Sequence, residues 1–155
     1  FGVESAEQRI VERCGKHLDL NRVRSAAAAC KALGIRTHLT FMFGLPGETR
    51  ETALRTIELA HELAPDTVQF SLATPFPGSS FYDELDRGGY LVSKDWSLYD
   101  GYSRSVVRTD ELSASDLEDL LRLAYKEWEH RGPRPHRHGW LRRVRKALIR
   151  ISRAR

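Results

Sequence analysis

Long apolar runs are missing from this sequence, which excludes a helical membrane span of about 18 or more apolar residues within it. No basic-then-apolar leader opens it either. Cysteine is scarce: Cys14 and Cys30 cannot build a disulfide framework, so a reducing cytoplasm is the expected compartment. No Gly-x4-Gly-Lys-Ser/Thr occurs, which removes P-loop phosphate binding. Ser5 has no paired base in view, so acyl transfer has no support. Acids are absent from Arg131 to Arg155, where nine arginines and Lys146 stand together. The formal total is +4, which leaves −6 for residues 1–130. The basic character therefore belongs to the tail, and nucleic-acid binding across the body is not expected. His136 and His138 lie in a proline- and arginine-rich linker without supporting ligands, which argues against a metal site.

What is present is ordinary for a globular α/β protein: 41% hydrophobic and 30% charged residues over 155 positions, enough for one real core. The first residues, Phe1-Gly2-Val3-Glu4, open without methionine and as if inside a strand, which predicts a piece of something longer. Ser5 is expected to cap a helix over Ala6–Arg13, with Ile10 and Val11 inward and Gly15 as its stop. Asp19 caps a second helix to about Leu33, with Val23, Ala26, Ala27, Cys30 and Leu33 on one face. The run from Leu39 to Phe43 reads as a strand covered on both faces. It runs into the turn Gly44-Leu45-Pro46-Gly47-Glu48, and Thr49 or a neighbour caps a helix over Arg50–Leu63. His61 on that helix reads as exposed.

Thr67–Ala73 is the next strand, making a βαβ unit of about 38 residues with a right-handed crossover expected. A short helix over Ser79–Asp86 follows. Tyr90–Arg108 lacks a clean period and suits a loop packed across a mouth or edge. Ser113 and Asp116 resemble a capping box for a helix to His130 that buries Leu117, Leu120, Leu121, Ala124 and Trp128. In parallel α/β layouts ligands gather at the carboxyl ends of strands, so the tips after Val3, Phe43 and Ala73 are the place to look for chemistry.

Several of these stretches form an ordered set. Phe1–Ser5, the Phe41–Thr49 turn, Ser71-Leu72-Ala73-Thr74-Pro75-Phe76-Pro77-Gly78 and Asp95-Trp96 together resemble radical S-adenosylmethionine (SAM) enzymes. The resemblance covers residues 1–130 and points to the branch that usually carries an N-terminal cobalamin-binding domain. It implies an α/β fold: the C-terminal half of a partial (β/α)6 TIM-like barrel, followed by helices. Residues 131–155 then form a basic linker and an amphipathic tail. It also implies SAM, a [4Fe–4S] cluster whose Cys-x3-Cys-x2-Cys ligands are absent from this chain, and in this branch cobalamin. Cys14 and Cys30 do not match that cluster loop, so no metal ligand and no catalytic residue is expected here. The chain alone is expected to be inactive, with the N-terminal half-barrel and the cobalamin domain as its partners and a small molecule as substrate.

The resemblance assigns roles position by position, each beside a plainer one. Glu4 matches the polar residue that bonds the ribose, or is an acid favoured by a helix start. Lys16 matches a cation near the SAM carboxylate, or is a solvated lysine. Thr40 falls where relatives place another ribose contact, or is a half-buried strand threonine. Met42 fits the position lining the adenine pocket, or is core. Gly44 lets backbone approach a ligand, or serves turn geometry alone. Ala73 and Thr74 resemble the site whose main chain faces adenine. Glu48 stands one residue later than the related Gly-x-x-Glu form and reads as structural.

In the tail, Trp140, Leu141, Val144, Leu148 and Ile151 share a helical face among cations. This suits an anionic membrane surface, with RNA backbone or a solvated terminus as alternatives. The leading expectation is an enzyme of 5′-deoxyadenosyl-radical or cobalamin-dependent methyl-transfer chemistry, cytoplasmic or peripheral to the inner membrane surface. The tail tilts its substrate towards a lipid or isoprenoid. The other reading is a non-catalytic α/β module that binds membrane or RNA through the tail.

Overall fold

The computed structural model describes residues 1–131. Its elements run β1 (Gly2–Glu4), α1 (Gln8–Arg13), α2 (Leu20–Ala32), β2 (His38–Phe43), α3 (Arg50–Leu63), β3 (Thr67–Leu72), α4 (Ser80–Arg87), a 3₁₀ turn (Trp96–Leu98) and α5 (Ala114–Arg131). The three strands make one parallel sheet in the order β1-β2-β3. β2 and β3 pair without interruption from His38↔Thr67 to Phe43↔Leu72. The tips after Val3, Phe43 and Ala73 thus lie side by side, as expected. The tail helix proposed for Trp140–Ile151 falls outside the described residues.

The core lies between one face of this sheet and its helices. Leu39, Phe41 and Phe43 of β2 and Phe70 and Leu72 of β3 are fully buried. Phe70 stacks on Phe41 and Phe43, with ring centroids 5.6 and 5.9 Å apart. α3 and α5 cover that face, bringing in Ile57, Ala60, Leu117 and Leu120. β2 is not covered on both faces, contrary to the reading of its apolar run. Thr40 and Met42 point the other way and are half-buried, because among the described residues no helix packs closely on the inner side of the sheet.

Local chemistry accounts for most helix ends. Thr49 caps α3 through a reciprocal pair with Thr52, and Ser113 and Asp116 exchange the capping-box bonds that start α5. Asp19 accepts from Asn21 N–H at the start of α2. Ser5 differs from its expected role. It is fully buried, its hydroxyl accepts from Glu7 N–H, and α1 begins only at Gln8, without a side-chain cap. Thr56 of α3 accepts from Ala6 N–H at 3.0 Å and lies 3.5 Å from Ser5 Oγ, so the segment is tied to α3 instead. Leu33 is 74% exposed, since α2 ends at Ala32 before another turn can carry it to the buried face. His61 is half-buried and stacks on Trp128 at 5.4 Å, since α5 lies alongside α3.

The two edges of the sheet differ. On the outer side of β3, Tyr125 Oη donates to Phe70 O at 2.8 Å and accepts from Phe70 N–H at 3.1 Å. Gly101 O accepts from Leu72 N–H at 2.7 Å. The 90–108 segment thus lies against an edge, and a phenol stands where another strand would pair. β1 has no strand on its outer side among the described residues. Tyr125→Phe removes both hydroxyl bonds and leaves two polar backbone groups of a buried residue unpaired. Such groups cost about 1–3 kcal/mol each, so urea unfolding should show a loss in that range or somewhat above. An unchanged midpoint would show that the hydroxyl does not seal this edge.

Candidate functional site

A cleft of ≈ 400 Å³ opens at the carboxyl ends of the strands. β1 contributes Glu4, and the exit of α1 contributes Arg13, Cys14 and Lys16. β2 supplies Met42, the following turn Leu45 and Pro46, and the exit of β3 Thr74. Ser80, Phe81 and Glu84 of α4 form the far wall. The size suits a small molecule, and polar groups converge on one side of an apolar slot. A larger groove of ≈ 540 Å³ over Gln8, Asp19 and Arg24 is open surface, away from the strand tips.

Glu4 is the most unusual residue of the cleft. Its φ is 69°, a left-handed conformation that costs a residue with Cβ on the order of 1 kcal/mol. Its carboxylate is ion-paired and hydrogen-bonded to Lys16 Nζ, which also donates to Gly2 O at 3.1 Å. Gly2 makes room for this pair: a Cβ there would come within 2.6 Å of Lys16 Nζ and 2.7 Å of Glu4 Oε1. Arg13 and Glu84 bridge the cleft between α1 and α4 at 3.0 Å. Both side chains are about half exposed, so the bridge adds little stability. Cys14 is held neutral: burial pushes its thiol up, and the Glu4 carboxylate adds to that. Among the described residues no group of three or more His, Cys, Asp or Glu could hold a metal ion.

Of the positions singled out in the sequence, Glu4, Lys16, Met42 and Thr74 line the cleft together. Thr40 shares the face of Met42, next to Gly2, but lies below the cleft wall. Ala73 is fully buried, its N–H donating to Phe43 O at 2.7 Å. Gly44 is also turned to the core. A Cβ there would meet Val107 at 3.0 Å and Leu117 at 3.2 Å, and its φ of 91° favours glycine. Arg13, Phe81 and Glu84 were not legible in the sequence, because only the fold brings α1 and α4 to the strand tips.

Glu48 holds the turn from below. It is buried, and its Oε2 accepts from Gly44 N–H at 2.6 Å. Burial pushes its pKa up to about 8, outweighing the Gly44 and Leu45 N–H groups that favour the ionised form. The folded protein therefore keeps a proton that the unfolded chain releases near 4.5. Stability from this group is complete below that value and is lost as pH rises to about 8. Glu48→Gln, which keeps an acceptor for Gly44, should show a flatter urea midpoint across this window. Parallel profiles for the two proteins would count against a proton on Glu48.

Glu4 admits a separate comparison. Glu4→Gly and Glu4→Ala remove the same carboxylate, but only alanine is strained at this φ. The glycine variant should be more stable by about 1 kcal/mol in thermal or urea unfolding. Equal stability would show that no strain is held at the strand tip.

No protein-family model matches the chain. It is 33% identical over 125 residues to an uncharacterized methyltransferase of Pyrococcus horikoshii, covering 81% of this chain and 27% of that protein. It is 30% identical to the cytidylyl-2-hydroxyethylphosphonate methyltransferase of Streptomyces wedmorensis, over 81% of this chain and 24% of the relative. The anaerobic magnesium-protoporphyrin IX monomethyl ester cyclase of Rubrivivax gelatinosus is 27% identical over 83% of the chain and 22% of its own length. The chain thus spans about a quarter of these curated relatives. Among solved structures, an N-terminally deleted Elp3 of Methanocaldococcus infernus superposes with a TM-score of 0.52 at 20% identity. That match covers 86% of this chain and 36% of the other and places the fold in a partial TIM-like barrel.

Proposed function

This chain is a homologue of radical SAM-related methyltransferases and cyclases, and from that premise we propose that its cleft is the SAM-binding wall of such an enzyme. The observation that carries the reading is the convergence of Glu4, Lys16, Met42 and Thr74 on one cleft at three parallel strand tips. Each chemical need of SAM has a group here. Glu4 offers a carboxylate to the ribose hydroxyls and Lys16 a cation to the amino-acid carboxylate. Met42, Leu45 and Phe81 offer an apolar slot to adenine, with the backbone around Ala73 and Thr74 beside it. Thr40 and Gly44 act from behind this wall, Gly44 through the turn that presents Leu45.

A [4Fe–4S] cluster would supply the electron for reductive cleavage of SAM, and a cobalamin would carry a methyl group. The described residues of this chain do not fit a cluster: they hold no group of three or more His, Cys, Asp or Glu that could bind a metal ion. What they do is bind and orient the nucleoside. In the bound state Lys16 exchanges Glu4 for the ligand carboxylate, releasing Glu4 to the ribose. The outer edge of β1, which no strand pairs among the described residues, is where a preceding half-barrel would add its strands.

Titration of the intact chain with SAM tests the reading. Glu4→Ala and Lys16→Ala each remove a charge-assisted hydrogen bond, so binding should weaken about 10–100-fold. Binding left within twofold by both variants would overturn it. In the longer protein, anaerobic reconstitution with SAM cleavage as readout tests the whole activity. The tail, +10 by sequence, is assigned to an anionic membrane surface. Co-sedimentation should require anionic lipid, and equal pelleting with neutral vesicles would remove that assignment.

A further inference from the structure

Glu48 is 1% exposed and keeps one carboxyl oxygen without a partner. Its Oε2 accepts from Gly44 N–H at 2.6 Å, whereas Oε1 meets no donor or acceptor among the described residues. Buried polar atoms are almost always paired, so an orphan in a carboxyl group asks for a reason. Both protonation states are costly here. The neutral carboxyl carries an O–H on Oε1 with nothing to receive it, and the carboxylate carries a full charge away from water.

The charged groups around it do not offset that cost. Among the described residues burial opposes ionisation, and the N–H groups of Gly44 and Leu45 favour it, with no charged side chain in the balance. Cys14, at the exit of α1, is the titratable neighbour that feels a charge on Glu48, which helps to hold the thiol neutral. On the cleft side the charges stand in two pairs, Arg13 with Glu84 at 3.0 Å and Lys16 with Glu4. Where α3 and α5 begin, Arg50 and Asp116 lie 3.7 Å apart. Thr109, which donates to the Glu48 carbonyl, is neutral.

Position ties this carboxyl to the cleft. Leu45 O accepts from Glu48 N–H at 3.0 Å, which closes the turn on itself. Leu45 and Pro46 of that turn line the cleft together with Cys14. The carboxyl therefore sits behind the wall that these three residues present, and its bond to Gly44 N–H fixes the base of the wall. Arg13 stands on the open side of the same turn, its Nη1 3.7 Å from where a Cβ on Gly47 would be. Water and the nearest cation thus lie in one direction, through the wall.

We propose that Glu48 is a proton-operated latch on the cleft: protonated, it holds the Gly44–Pro46 wall in its ligand-binding shape, and ionised, it turns to water and releases that wall. The O–H bond breaks, its electron pair stays on the carboxylate and the proton passes to solvent. The latch rests on the reading above in one respect, that the cleft takes SAM; the release of the turn does not depend on it. The binding-competent fraction is nearly complete at about pH 6.5 and falls as pH rises through about 8. An apparent Kd is the intrinsic one divided by that fraction, so one pH unit further on it is roughly tenfold weaker. By reciprocity, ligand binding near the midpoint takes up protons.

Two measurements on the intact chain test the latch, the first without ligand. Amide exchange at Gly44 and Leu45, followed by NMR and corrected for its intrinsic pH dependence, should rise at least about fivefold from about pH 6.5 to about pH 9. Phe41, in the core of the same strand, is the internal reference and should stay within about twofold, as should all three amides in Glu48→Gln. Second, SAM should lose roughly tenfold in affinity over this range relative to Glu48→Gln. The variant carries the ligand's own titration, so the ratio isolates Glu48. Calorimetry in buffers of differing ionisation enthalpy should find proton uptake near about pH 8 that the variant lacks. Flat corrected exchange at Gly44 overturns the latch, and so does an equal rise at Phe41, which would show general loosening. An affinity ratio that does not change with pH overturns it as well. Should SAM bind at neither pH while exchange rises at Gly44 alone, the reading of the cleft falls and the latch stands. If Glu48→Gln does not fold, the contrast between Gly44 and Phe41 in the unaltered chain decides.

Discussion

A single buried carboxyl organises the exit of the central strand. Glu48 reaches back under its own turn to Gly44 N–H, while Thr109 Oγ1 donates to the Glu48 carbonyl at 3.0 Å. Thr109 in turn accepts from Leu112 N–H at the approach to α5. The end of β2, the turn that lines the cleft and the start of the last helix are therefore fixed to one another through one residue. Position 44 requires glycine on two counts: its φ is left-handed, and a Cβ would crowd Val107, Leu117 and Ala73. Leu45 and Pro46 project into the cleft from this anchored base.

The cleft floor follows from that anchoring and from the sheet's one-sided packing. With α3 and α5 on one face, alternate residues of β2 divide into core (Leu39, Phe41, Phe43) and inner surface (Thr40, Met42). Among the described residues no helix competes with a ligand for the inner surface. Glu4 occupies a strained backbone at the tip of β1, beside a glycine that gives its ion pair room. Strain of this kind persists where surrounding contacts fix it, and here β1–β2 pairing and the Lys16 bonds do so.

Much of this was legible in the residues. The strand–turn–helix around Gly44 is written in local chemistry: a run of apolar residues, then glycine and proline, then a threonine cap. Glu4, Met42 and Thr74 were reachable through an ordered set of motifs spread over the chain, and Lys16 through its match to a cation of the family. What was not legible depends on contacts distant in sequence. Ser5 looks like a helix cap, yet Thr56, 51 positions later, claims its surroundings. Leu33 fits a helical period but lies one residue past the helix end. Arg13 and Glu84 look like ordinary surface charges until α1 and α4 are set on the two sides of one opening.

The phenol that satisfies both backbone groups of Phe70 gives the sheet a direction. One margin is closed by the Tyr125 hydroxyl, which cannot template another strand, while among the described residues β1 at the other margin has no strand beyond it and only Lys16 Nζ on Gly2 O. A strand contributed by any partner would therefore join this sheet beside β1 and not beside β3.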